Sequence, residues 1–84
     1  MNGLSKYAEY TVSELLGFRT LCQEDLTRQS RSIGGVKLYR GKPIDAGNAH
    51  LLNETRKRMS ALSMLDRDLE IELELRLESV IKNL

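Results

Sequence analysis

From Ala49 to Lys82 the chain contains no glycine and no proline, and this unbroken run constrains the fold more than any other feature. Strands are bounded by turn residues within about four to eight positions. A run this long therefore predicts a helix. Within it, Leu69 to Glu78 reads LEIELELRLE, alternating apolar and charged residues at the two-residue period of a strand. Composition opposes that period: Leu, Glu and Arg are good helix formers, Glu is depleted in strands, and only Ile71 is β-branched.

Wound as a helix at about 100° per residue, Leu62, Leu65, Leu69, Leu73, Leu77, Val80 and Leu84 fall on one stripe. The alternation then acquires another meaning. Ile71 and Leu75, joined by Met64, land on the opposite side, so the helix has two apolar faces, the second interrupted by Asp68. Scattered exposed apolar residues are ordinary on any surface. Grouped as they are, Met64, Ile71 and Leu75 are expected to form a partner-binding face.

The N-terminal part repeats the helical theme. Thr11 followed three residues later by Glu14 is a capping box, which predicts a helix from Val12 to about Gln29, with a start at Ser5 as the alternative. Its apolar stripe is Val12, Leu15, Phe18, Cys22 and Leu26. Between the helices, residues 31–45 hold three of the six glycines and the only proline. This loop is expected to carry a short extended segment over Val36–Arg40, turning at Gly41 and Lys42, before Asp45 caps a long second helix over residues 46–83. Gly34 and Gly35 are expected to take backbone angles closed to other residues.

Together these elements predict one all-α domain over residues 1–84, an antiparallel helical hairpin with one long C-terminal helix. Helix rise makes the second helix about twice the length of the first. With the helices joined near residues 30 and 46, Val12 is expected opposite Met64, leaving the far stripe without cover from its own chain. A chain of 84 residues has little core to spare. Self-association through Leu69, Leu73, Leu77, Val80 and Leu84 follows as the expectation, most simply as a two-fold homodimer forming a helical bundle or coiled coil. The competing arrangement breaks the second helix near Ser60–Ser63 and folds the chain into a three-helix monomer.

Charge is unevenly spread behind a net value of +1. Residues 1–27 carry Lys6 and Arg19 against Glu9, Glu14, Glu24 and Asp25, a net −2. Residues 28–58 carry Arg28, Arg31, Lys37, Arg40, Lys42, Arg56, Lys57 and Arg58 against Asp45 and Glu54, a net +6. Residues 59–84 carry Arg67, Arg76 and Lys82 against Asp66, Asp68, Glu70, Glu72, Glu74 and Glu78, a net −3. The basic middle offers Arg28, Arg31, Lys37, Arg40 and Lys42, with Tyr39 able to stack on a base, as an anion-binding set. The alternative use of this polarity is internal, with the acidic region of one chain lying beside the basic region of another.

Catalysis has little to draw on. Cys22 is the one thiol and His50 the one imidazole, and neither sits in a recognisable motif. Cys22 lies on an apolar stripe, where it reads as a small buried hydrophobe. The carboxylates between positions 66 and 78 are spread around the helix rather than gathered for a cation, and no metal-ligand or phosphate-loop spacing occurs. No cofactor or small-molecule substrate is expected. The absence of a secretory pattern near the N-terminus and of a cysteine framework points to a reducing, cytoplasmic setting with no membrane partner.

The sequence thus reads as a small non-enzymatic protein-interaction module, an adaptor, chaperone-like cofactor or regulator that self-associates and docks a partner protein. The alternative reading is a nucleic-acid-binding accessory protein acting through the basic loop.

Overall fold

The computed structural model describes residues 6–83. Two helices dominate it: α1, Val12–Gly34, and α2, Ala46–Lys82. Between them lie two two-residue strands, β1 (Leu38–Tyr39) and β2 (Lys42–Pro43), paired antiparallel with Leu38 opposite Pro43 and Tyr39 opposite Lys42. The molecule is a helical hairpin measuring 58 × 25 × 19 Å.

The capping box at Thr11 is formed. Its Oγ1 accepts from the Glu14 amide at 3.1 Å, and Glu14 Oε1 accepts from the Thr11 amide at 2.9 Å, satisfying two amides that the first turn leaves without helical partners. Ser5 lies outside the described residues, but the alternative of a helix running on from it is not adopted, because residues 6–10 form turns and a bend and Thr11 has extended backbone angles. α1 passes the expected end at Gln29 and continues to Gly34, because Ser30 to Ile33 contain no residue that forbids helix.

The connecting turn differs from expectation by one residue. The left-handed backbone angles fall at Arg40 (φ 53°) and Gly41 (φ 80°) rather than at Gly34 and Gly35. Two consecutive positive φ values are what a tight two-residue hairpin needs to match the twist of its strands. Gly41 adopts this freely, whereas Arg40 does so at a steric cost. Pro43 takes a place where no donor is required of it, and the ladder is extended by Ile44, whose amide donates to Lys37 O at 3.1 Å.

Asp45 caps α2 as expected, its Oδ1 accepting from the Asn48 amide at 2.8 Å. The Asn48 backbone and side-chain N–H groups stabilise the charged form and hold this carboxyl below its ordinary range. α2 then runs unbroken through Ser60–Ser63. The three-helix arrangement is therefore not adopted, since nothing in that segment offers a turn to compete with continued helix.

Antiparallel packing brings Arg19 to Asp66, where its Nε donates to Oδ1 at 3.1 Å, and to within 3.7 Å of Glu70. Farther along, Val12 lies with Leu73 and Leu77 rather than opposite Met64. The difference arises at the turn. The β-hairpin folds over the start of α2, where the Lys37 amide donates to Asn48 Oδ1 at 2.7 Å, so α2 begins beyond the end of α1. The apolar core consists of Leu15, Cys22 and Leu69, with Tyr7, Phe18, Leu62 and Leu73 packed around it.

Candidate interaction surface

Along α1 and α2 the apolar stripes meet only in part. Leu69 is fully buried by its own chain and Leu73 is half-buried against the core. Neither is the open contact that the sequence reading made of them, because α1 reaches farther along α2 than loop length alone suggested. Leu77 and Val80 do remain exposed; with Val12 and Leu73 they line a shallow apolar groove of about 160 Å³ at the open end of the hairpin. Leu84 lies outside the described residues.

The second apolar face of α2 is also open. Met64 is 68% exposed, and Ile71 and Leu75 are exposed beside it. Ile71, Asp68 and Leu75 border a groove whose far wall is the residue pair Lys6 and Tyr7. On the other side of Tyr7 lies a larger groove of about 330 Å³, lined by Tyr10, Phe18, Leu21, Cys22, Leu65 and Leu69. Tyr7 thus separates two apolar recesses on one face of the hairpin.

The segment bearing Tyr7 is held by charge. Arg76 donates from Nη2 to Tyr7 O at 2.7 Å and from Nη1 to Tyr10 O, while its Nε donates to Glu72 Oε2 at 2.8 Å. Lys6 lies 3.6 Å from Asp68. Tyr10 then meets Phe18 edge to face, with centroids 5.1 Å apart, in the geometry that the ring quadrupoles favour. Sequence reasoning missed Tyr7, Tyr10 and Leu21. The two tyrosines precede the helix cap, where no periodicity marks them, and Leu21 falls off the stripe of α1.

Cys22 is buried, and burial pushes its thiol above the ordinary range. That shift disfavours the thiolate on which nucleophilic chemistry depends. Among the described residues no group of three His, Cys, Asp or Glu side chains is placed to hold a metal ion, and no helix is long and apolar enough to cross a membrane.

The basic residues gather at the closed end. Lys37, Arg40 and Lys42 surround the β-turn, and the Arg40 guanidinium lies 5.3 Å from the centroid of the exposed Tyr39 ring. Arg31 stands in the last turn of α1, where it complements the helix dipole. Arg28 is tied to Asp25 at 3.2 Å. The turn thus unites Lys37, Tyr39, Arg40 and Lys42, with Arg28 and Arg31 behind them on α1.

No family model matches the chain, and neither a curated protein nor a solved structure gives a significant match.

Proposed function

We propose that this protein is a small, non-enzymatic interaction module, which completes its core by self-association and docks a partner protein on an exposed apolar helix face. One observation carries the reading. Only three apolar side chains are buried, whereas fifteen large ones are exposed among the described residues. Each large apolar side chain left in water forgoes roughly 1.5–3 kcal/mol of burial energy, and a hairpin with so small a core has little reserve. The exposed residues are also grouped, with Met64, Ile71 and Leu75 on one face and Leu77 and Val80 at the open end. Helix-in-groove docking uses such faces.

Light scattering coupled to size exclusion tests the self-association. A mass of two chains or more is expected, and a single-chain mass at every concentration would refute it. For partner docking, Ile71→Ser with Leu75→Ser is expected to abolish capture while leaving the helical circular dichroism unchanged.

A second reading rests on the closed end, where Lys37, Arg40 and Lys42 stand around the exposed Tyr39. Cationic side chains beside a stacking ring suit single-stranded nucleic acid. Titration of a labelled oligonucleotide across a salt series distinguishes the two readings, since phosphate contacts weaken steeply with salt.

A further inference from the structure

The hairpin brings the two acidic segments of the chain together. With Arg19 opposite Asp66 and Val12 beside Leu73, each step up α1 matches a step down α2, so position 27 faces position 58. Those are the positions at which the charge changes sign. The closed half, residues 28–58, carries a net +6, while the open half joins −2 from residues 6–27 to −3 from residues 59–83, giving −5. The molecule is a rod 58 Å long with opposite charges at its two ends.

The second apolar face of α2 has a matching order. Lys57, Ala61, Met64, Asp68, Ile71 and Leu75 are spaced alternately four and three residues apart, the repeat of a coiled-coil seam. Lys57 and Asp68 are the charged positions in it; both are exposed, and their pairs within the chain, Lys57 with Glu54 at 3.4 Å and Asp68 with Lys6 at 3.6 Å, are surface pairs that a facing copy can replace. Their spacing is centred between Leu62 and Ser63, close to the middle of α2.

We propose that the occupant of this face is a second copy of the chain, lying antiparallel about a two-fold axis near the middle of α2. Lys57 of each copy then meets Asp68 of the other, Ala61 meets Met64, a small residue against a large one, and Ile71 and Leu75 lie against the side chains of Glu54 and His50. The basic half of each rod lies beside the acidic half of its partner. A parallel dimer would instead set Lys57 against Lys57 and Asp68 against Asp68, with like-charged halves side by side. A partner protein docking on Ile71 and Leu75 then displaces the second copy from this face. This inference rests on the self-association proposed above, and adds the face and the orientation.

Charge exchange tests it. Lys57→Glu and Asp68→Lys are each expected to weaken dimerisation by about tenfold or more, with Lys57→Arg as a control that dimerises normally. An equimolar mixture of K57E and D68K is expected to recover the two-chain mass, because every cross-pair is then attractive. Spin labels attached through Arg40→Cys, with Cys22 buried from the reagent, should lie at opposite ends of the dimer, at a separation approaching the 58 Å length of the rod. A dimer with its labels close together, or single variants that dimerise as tightly as the unaltered chain, would overturn the antiparallel assignment and leave self-association standing. A monomer under all conditions would remove both.

Discussion

Arg76 and Tyr7, 69 residues apart in the chain, are joined by a hydrogen bond of 2.7 Å from the guanidinium to the Tyr7 carbonyl. The same guanidinium is held at 2.8 Å by Glu72, a carboxylate that is itself buried. One side chain thus ties the N-terminal segment to the outer half of α2, and so sets the walls of both grooves beside Tyr7.

Arg76→Met should release that segment. It removes hydrogen bonds to two carbonyls and the guanidinium beside Glu72, at an expected cost of about 1–3 kcal/mol. Trypsin cleavage after Lys6 is the direct readout. Faster cleavage with little loss of helix is expected, and unchanged kinetics would show that apolar packing of Tyr7 alone holds the segment.

Thr55 is 1% exposed and its hydroxyl finds no hydrogen-bond partner among the described residues. Thr55→Val keeps the shape and removes the unpaired hydroxyl. Stability is expected to rise by up to about 1 kcal/mol, visible as a higher midpoint in thermal or urea unfolding; a lower midpoint would mean that the hydroxyl is satisfied.

Asp45 supplies a pH dependence. Its carboxyl is held below the ordinary range by the Asn48 N–H groups, so its contribution is fully present above the unfolded-state pKa, about 3.9. That contribution is lost as pH falls through the depressed folded-state value. Asp45→Asn retains a capping side chain without the ionisation. The acid side of its stability profile should be flatter than that of the unaltered protein, as measured by helix ellipticity on titration.

Arg40 stands at a positive φ of 53° in the first position of the turn, where asparagine is favoured. Arg40→Asn should stabilise the protein by about 0.5–1 kcal/mol. It also separates the two readings of the closed end. If the turn binds nucleic acid, stability will rise while oligonucleotide affinity falls; if the turn is only a connector, stability alone will change.

Met64, Ile71 and Leu75 are the residues on which the interaction reading depends. Met64→Ser, added to the Ile71 and Leu75 exchanges, should leave the monomer fold in place, since all three side chains are exposed. Sedimentation of the triple variant is expected to give a single-chain mass. An unchanged mass would move self-association to the open end at Leu77 and Val80.

Local chemistry made the two helices and three of their four ends legible in the chain, through the Thr11–Glu14 box, the Asp45 cap and the unbroken run that makes α2 one rod; the end of α1 was not, since it passes Gln29 and reaches Gly34. The sequence also placed Met64, Ile71 and Leu75 opposite the core stripe, which helical periodicity alone dictates. The register came from packing between the helices. Folding the β-hairpin over the start of α2 shifted α1 along its partner, buried Leu69, half-buried Leu73, and left Leu77 and Val80 open. Packing also decided the position of Tyr7 and Tyr10, which Arg76 holds from the far end of the chain, and it gathered two acidic segments at one end. None of these follows from periodicity, since each depends on where two helices stop sliding against one another, and that is set by long-range contacts such as Arg19 with Asp66 rather than by neighbours in sequence.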